Sequence, residues 1–347
     1  MAKLSIYSIA LLLFTPSFLL LASTENEEKS FAVAPIISSN PSMGTGVGVT
    51  GSYLYNVGEE NPRSQLLGLT QYTDTDSYTI GARNMMHFDD GNQRAVTAAW
   101  LLHINNDFSN AEFVSESYGL FHRQSWKVAE NWFAGIHGIA MFNNYSPDNE
   151  AGKEFLELTG ASDNEVYGVG LNVTYDSRDN FYYPMQGALF EVSTFSYLDS
   201  LGSDEDYDLL ELKYSKYITV RQKDVVALGY YGRYVNDEAP YSGESYLGRR
   251  SALRGFNAGE ISGQRLSAIQ AEYRYHISEK WKIVGFAGVA NIEGGTAEEN
   301  NREGMYYSAG VGARYALQPK DKVHLRFDIA IGNDDNQGFY IGLQEAF

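Results

Sequence analysis

The side chains with the clearest chemical potential form a polar run that ends an alternating segment. Asp176-Ser177-Arg178-Asp179-Asn180 is followed closely by Pro184 and Gly187. Two carboxylates beside a serine would suit hydrolysis, but a nucleophile needs a general base within hydrogen-bond reach, and no histidine lies nearby in the sequence. The pattern therefore favours a structured turn over an active site.

The histidines and glycines suggest no other catalytic or cofactor site. The six histidines stand singly among predicted strands, without the spacing of metal ligands. They are His87, His103, His122, His137, His276 and His324. The run Gly46–Gly51 matches the GxGxxG dinucleotide fingerprint, yet it lies inside an alternating segment and opens no helix. The sequence thus predicts no metal, no cofactor and no enzyme.

A third feature is the long connector 236–263, which contains Ser251-Ala252-Leu253-Arg254-Gly255-Phe256. A merely solvated loop would not need these apolar residues, so we expect the connector to fold inward and pack on a wall. An inward arginine is costly unless a carboxylate pairs with it, and a bidentate pair is the natural solution. Glu272, in the next strand, is the first expected partner, and Asp328 is the second.

Alternation with a period of two predicts that β-strands position these residues. From Tyr167 to Tyr175 the odd-numbered residues are apolar, and residues 304–317 and 323–331 alternate in the same way. Whole charges in mid-strand, such as Arg326 and Asp328, favour a membrane barrel over a soluble sandwich. Aromatic residues at the ends of the apolar faces favour it as well.

The alternating segments predict an all-β fold, a transmembrane antiparallel β-barrel. Fifteen strands are expected, at 43–57, 64–74, 76–88, 93–105, 113–127, 131–143, 164–178, 186–199, 205–219, 223–235, 264–277, 280–293, 304–317, 320–332 and 336–347. Because bacterial single-chain barrels prefer an even number of strands, we expect a sixteenth near Phe31 to Ile37. The connector 236–263 then becomes a long extracellular loop that folds inward.

The beginning of the chain and its charge agree with export. Lys3 precedes an apolar stretch, Leu4 to Leu21, that ends in Ala22-Ser23, as in a cleavable signal peptide. We therefore predict a signal peptide at 1–22, a short N-terminal segment at 23–42 and the barrel at 43–347. The net charge of −18 argues against nucleic-acid binding.

Several motifs, in this order, resemble the BamA/TamA family, also called the bacterial surface antigen family. They are Tyr175-Asp176-Ser177-Arg178-Asp179-Asn180 with Pro184 and Gly187, Leu253-Arg254-Gly255-Phe256, Ala271-Glu272-Tyr273-Arg274, and a last strand ending in Phe347. Five strands follow the Arg-Gly-Phe loop, as in that family. The resemblance implies a sixteen-stranded barrel whose sixth extracellular loop enters the lumen, with the loop arginine paired to a wall acid. It also implies that Phe347 acts as a signal for the barrel assembly machinery.

Three departures from the family pattern affect the expected function. We expect no room for the periplasmic POTRA domains with which family assembly factors capture clients. A further wall acid is replaced by Phe286-Ala287-Gly288-Val289, and Glu345 stands where an apolar residue is usual. The chain thus resembles single-barrel members of the family.

The expected function is insertion of proteins into the Gram-negative outer membrane, or their translocation across it, with lipid, client proteins and a periplasmic partner as contacts. Two rival classes are a passive pore or small-solute transporter and an outer-membrane lipase. The lipase would need a Ser–His pair on the lipid-facing wall, which the alternation does not supply.

Overall fold

The wall of the molecule is built from strands that alternate between an apolar outer face and a mixed inner face. The computed structural model describes residues 23–25, 29–40, 44–58, 61–108, 110–236, 239–248, 252–256, 259–295, 298, 302–320, 322–334 and 336–345. The predicted signal peptide and Phe347 lie outside these residues. No helix in the described part is long and apolar enough to cross a membrane.

The strands include every segment expected from the alternation. They are β1 (Ser23–Glu25), β2 (Lys29–Asn40), β3 (Gly44–Tyr55), β4 (Ser64–Thr73), β5 (Tyr78–Phe88), β6 (Gln93–Phe108), β7 (Ala111–Ala129), β8 (Trp132–Pro147), β9 (Asn164–Asp176), β10 (Gly187–Tyr197), β11 (Tyr207–Val220), β12 (Asp224–Val235), β13 (Ser245–Tyr246), β14 (Ser262–Gly263), β15 (Arg265–His276), β16 (Trp281–Glu293), β17 (Gly304–Gln318), β18 (Val323–Gly332) and β19 (Gln337–Leu343). The helical elements include α1 (Glu150–Thr159) and two 3₁₀ turns, Asp199–Leu201 and Tyr241–Gly243.

Sixteen strands, β2–β12 and β15–β19, close into one antiparallel barrel, which confirms the predicted fold class. The expected additional strand is β2, which pairs with β3 over its whole length. The wall therefore begins at Lys29 rather than at residue 43, because the segment placed before the barrel supplies a wall strand.

The two faces of the wall follow residue parity. Outward-facing side chains such as Leu171 (64% exposed) and Ile331 (62% exposed) are large and apolar. Inward-facing side chains include buried arginines and carboxylates. We call the end of the barrel that carries connectors 148–163 and 236–264 the loop end, and the opposite one the turn end. In outer-membrane barrels the long loops are extracellular and the short turns periplasmic.

Candidate functional site: a buried ion network inside the barrel

The connector between β12 and β15 folds into the lumen. Its hairpin pairs Ser245 with Gly263 and Tyr246 with Ser262. Beyond the hairpin, Leu253 and Phe256 are buried in an apolar cluster that joins the loop to inward-facing wall residues. The members of this cluster are Tyr231, Leu247, Ala252, Leu253, Phe256, Ile261, Leu266, Ala268, Ala290, Ile292 and Tyr306. Apolar burial thus holds the loop against the inner wall.

Glycine is required where the loop touches the wall. Gly255 has φ of +98°, in the left-handed region, and a Cβ added there would lie 3.3 Å from the Cβ of Ala330. Its backbone N–H donates to the Tyr340 hydroxyl on β19 at 3.0 Å. On the wall, a Cβ at Gly332 would come within 2.6 Å of the Phe256 ring, so Gly332 makes room for that ring.

Arg254 lies between both acids that the sequence singles out. Its Nη2 is 3.0 Å from Glu272 Oε2, and its Nη1 is 2.9 Å from Asp328 Oδ2. The Arg254 side chain is 2% exposed, and neither acid side chain is accessible. The guanidinium also lies 3.4 Å above the centroid of the Phe286 ring. The aromatic face therefore supports the cation at the position where the family pattern leads one to expect another acid.

The same two acids bind further arginines of the wall. Arg274 Nε is 2.7 Å from Glu272 Oε1, and Arg314 Nη1 is 2.6 Å from Asp328 Oδ1. Arg314 Nε is 2.7 Å from Glu345 Oε2, so the last described residue of the chain also joins the cluster. We call this set the ion network. It comprises Arg254, Arg274, Arg314, Arg326, Glu272, Asp328 and Glu345.

The charges of the ion network nearly balance, with four arginines against three carboxylates. An unpaired buried charge would be strongly destabilising, which explains why each carboxylate has at least one close guanidinium. Sequence reasoning did not assign Arg274, Arg314 or Glu345 to this site. Parity identified Arg274 and Arg326 as inward-facing, but their distances to the acids depend on the packing of several strands.

The polar run that begins with Asp176, the last residue of β9, forms a turn at the turn end of the barrel. Asp176 accepts from Arg178 Nε at 2.9 Å and Nη2 at 3.0 Å, and from Arg94 at 3.1 Å. The Asp179 carboxylate accepts from the backbone N–H of Met185 at 2.8 Å and of Gln186 at 3.2 Å. These bonds fold residues 177–186 back on themselves.

Pro184 and Gly187 complete that turn. The carbonyl of Pro184 accepts from Arg274 Nη1 at 3.3 Å, which joins the turn to the ion network. Gly187 has φ of +99°, and a Cβ there would lie 2.1 Å from the Ser177 carbonyl oxygen. Tyr182 and Tyr183 are buried at the tip of the turn, 6% and 2% exposed. We call residues 177–186 the inserted turn.

Two ionisable groups of the inserted turn show how firmly it is packed. Burial raises the pKa of the Tyr183 hydroxyl above its ordinary value. For Arg178, burial acts to lower the pKa, but the hydrogen bonds and charge of Asp176 outweigh it and raise the pKa overall. The predicted turn motif is thus a set of structural contacts.

The barrel closes between β2 and β19 through few hydrogen-bonded positions. The ladder comprises only Phe339 opposite Ser39 and Tyr340 opposite Ser38, whereas β2 and β3 pair over twelve positions. Further along the same edge of β2, residues 30–32 pair with β1, a segment of the chain itself. Residues 33–37 of that edge have no ladder partner among the described strands. We call this junction the seam.

Near the turn end, the two sides of the seam overlap. Val323 and Leu325 have the parity of the outward-facing Ile329 and Ile331, yet they are fully buried. They belong to one apolar cluster with Ala34 and Leu54, which lie on the inner faces of β2 and β3, and with Leu343 of β19. In addition, β1 and β2 contact β17, which lies beyond β19 and β18 in the sheet. Side-chain packing therefore closes the seam where ladder hydrogen bonds do not.

The C-terminal residues leave the wall at this overlap. β19 ends at Leu343, Gln344 has a positive φ of 68°, and the Glu345 side chain enters the ion network. The chain direction thus explains the charged residue that departs from the family pattern. Phe347, predicted to carry the assembly signal, lies outside the described residues.

Comparison with known proteins places this barrel among related membrane proteins. Residues 39–347 match the Omp85 superfamily domain. Comparison with curated protein sequences gives no match. A BamA structure from Haemophilus ducreyi lacking POTRA domains 1–3 is similar with a TM-score of 0.62 and 14% identity, over 92% of this chain and 71% of that one.

Two CdiB structures are similar to the same extent. The Acinetobacter baumannii protein has a TM-score of 0.60 and 12% identity, over 92% of this chain and 60% of that one. The Escherichia coli protein has a TM-score of 0.60 and 13% identity, over 93% of this chain and 63% of that one. At these identities the likeness concerns the fold, and the chain spans less than two thirds of either CdiB structure.

Proposed function

The chain belongs to the Omp85 superfamily, and from this premise we propose that it assists the insertion of proteins into the outer membrane, or their translocation across it, through the seam. The proposal includes export by the predicted signal peptide, residence in the Gram-negative outer membrane, and contact with lipid, client proteins and a periplasmic partner. The barrel assembly machinery would insert it, reading Phe347. No catalytic step is part of the proposal.

The short ladder at the seam is the observation that carries this proposal. Opening it between β2 and β19 breaks the pairing of two positions, whereas any other junction would break a longer ladder. Unpaired backbone groups are very costly in lipid, so an exposed strand edge pairs with any strand that is offered. Residues 33–37 of β2 have no ladder partner between the stretches occupied by β1 and β19, so opening of the overlap would leave this edge free for a client strand.

The ion network supports the proposal by its position. Through Gly255, the loop contacts Tyr340 on the seam strand β19, and Glu345 follows the end of the same strand. A client strand that displaces β19 would therefore act on the network and on the loop. We propose that Leu253, Arg254, Gly255 and Phe256, anchored by Glu272 and Asp328, hold the loop, and that the inserted turn braces it.

A reversible lock of the seam tests the proposal. The chain contains no cysteine, so Ser39→Cys with Phe339→Cys introduces one disulfide at a register pair of the seam. Ile136→Cys with Leu171→Cys is the matched control, because it joins β8 to β9 on the side of the barrel opposite the seam. Each variant is reconstituted in liposomes, and the insertion rate of a urea-unfolded client barrel is measured before and after reduction.

We expect the wild type to accelerate insertion, the oxidised seam variant to lose at least fivefold in rate, and reduction to restore it. The control pair should be equally active in both states. Equal activity of the locked and reduced seam variant would refute the proposal. So would a wild type that conducts ions in planar bilayers but never accelerates insertion, which would leave a passive pore.

A further inference from the structure

The lumen is packed on one side and open on the other. Inward-facing residues of β15, from Leu266 to Arg274, are all buried under the loop and the ion network. The inward-facing residues in the middle of β5 and β6 are only partly buried or exposed, although they lie inside the barrel. We call the space beside β4–β7 the open chamber. It is lined by Leu67, Leu69, Gly81, Ala98, Trp100 and Phe121.

Most of this lining is apolar, which is unusual for a water-filled path. The lumen of an aqueous porin is polar, whereas small-molecule sites are mostly apolar with a few placed polar groups. Small residues provide the room, because Gly81 and Ala98 stand at the middle of β5 and β6. Trp100 lies against the wall, since a Cβ at Gly119 would come within 2.4 Å of its indole ring.

An exposed cation faces this chamber. Arg83 lies on the inner face of β5, opposite Leu67 on β4 and Ala98 on β6. Unlike the fully buried arginines of the ion network, it is exposed to the lumen space. Within the part of the chain that the structure describes, no carboxylate lies at ion-pair distance from it. Its electrostatic neighbours are the Tyr182 hydroxyl and a second cation, Arg178, both in the inserted turn.

We propose that the open chamber binds a single-chain amphipathic anion, with its carboxylate or phosphate on Arg83 and its acyl chain along Leu69 and Trp100. A guanidinium presents a planar fork of donors that matches both headgroups. The apolar side chains beside Arg83 would remove the acyl chain from water, which favours binding in proportion to the apolar area that is buried. This site is distinct from the seam and does not depend on the function proposed for it.

Binding is tested on the purified barrel with three twelve-carbon probes. Laurate carries a carboxylate, dodecyl phosphate carries a phosphate, and dodecanol is neutral. Native mass spectrometry from a neutral detergent then counts the probe molecules that each barrel retains. We expect one laurate or one dodecyl phosphate per wild-type barrel and none of dodecanol. Retention of laurate alone identifies a fatty acid, and retention of both identifies a site that accepts either headgroup.

Three variants separate the chamber from the rest of the protein. Arg83→Gln should weaken binding of the charged probes at least tenfold, and Ala98→Trp should abolish it by filling the space. Arg265→Gln is the control, because it removes an arginine whose side chain is 61% exposed at the loop end of β15. Equal retention by wild type and Arg83→Gln, or equal retention of dodecanol and laurate, would overturn the proposal.

A second measurement needs no variant and therefore remains decisive if Arg83→Gln fails to fold. A fatty acid with a diazirine in its chain is photolysed on the wild-type barrel, and the labelled peptide is sequenced. Label on the inward-facing Trp100 or Leu69 is expected. Label confined to the outward-facing Leu101, which is 41% exposed, would show that the probe binds the outer surface only and would overturn the assignment.

Discussion

Removing the guanidinium of Arg254 is the most direct test of how the loop is held. In Arg254→Ala, Glu272 keeps Arg274 at 2.7 Å and Asp328 keeps Arg314 at 2.6 Å, but each loses one charge-assisted bond. Breaking a fully buried pair typically costs about 3–5 kcal/mol. Because both acids retain a partner, we expect the lower limit of that range, about 3 kcal/mol.

The appropriate assay is urea unfolding of the barrel in detergent micelles, followed by tryptophan fluorescence, for a cycle of Arg254→Ala, Glu272→Ala and the double variant. The coupling energy between the two sites should be about 1–3 kcal/mol, since the groups share one bond and one network. The control is Arg265→Ala, in which an exposed pair with Glu293 at 3.9 Å is lost. Its free energy of unfolding should change by less than about 0.5 kcal/mol.

Additivity would refute this reasoning. If the two single changes sum to the double change within about 0.5 kcal/mol, the Arg254–Glu272 pair contributes nothing of its own. The loop would then be held by the Arg254–Asp328 pair and by the apolar packing of Leu253 and Phe256.

Three further changes test the remaining contacts. Gly255→Ala should destabilise the barrel by about 1–3 kcal/mol in urea unfolding, because a backbone φ of +98° strains any residue with a side chain. Gly285→Ala is the control and should be neutral, because no atom lies within 4 Å of the added Cβ. Asp179→Ala should lower the free energy of unfolding by about 1 kcal/mol, because it removes the acceptor for the Met185 and Gln186 N–H groups. Hydrogen exchange of the backbone amides should accelerate in residues 181–186 but not in β12. Glu345→Gln should weaken the contact with Arg314 and accelerate amide exchange in β19 relative to β10; unchanged exchange in β19 would show that Glu345 does not hold this strand.

Alternation predicts most of this fold because each strand has one face toward the apolar outside of the barrel and one face toward the polar lumen. The segment that lacks a clear signal is β2, and the structure gives the reason. Ala32 and Ala34 on its inner face are fully buried, and Ala34 belongs to the cluster with Val323 and Leu325, so this face does not require polar residues. Because apolar side chains of β18 cover the inner face of β2, that face lacks the polar residues of a period-two pattern.

The candidate site could be predicted only in part. An arginine in an apolar loop indicates an inward position, and parity identifies the acids that face the lumen. The inward path of the chain after Leu343 and the insertion of Tyr183 depend on the closed barrel, because their partners come from strands distant in sequence. Neither feature produces a periodic pattern or a motif in the sequence.

The layout of the ion network bears on what it does. Buried ion pairs are weak contributors to stability, since apolar side chains of similar volume often hold a core as well or better. Here they join three separate parts of the chain: Arg254 belongs to the loop, Glu345 follows the seam strand, and Arg274 reaches the inserted turn through the Pro184 carbonyl. A purely apolar core could fill the same space without linking these parts. Arg314 bonds both Asp328 and Glu345. Displacement of β19, which Glu345 follows, would therefore change the charge around the loop. Release of β19 should therefore loosen the loop, and binding at the loop should alter the seam, because coupling of this kind is reciprocal.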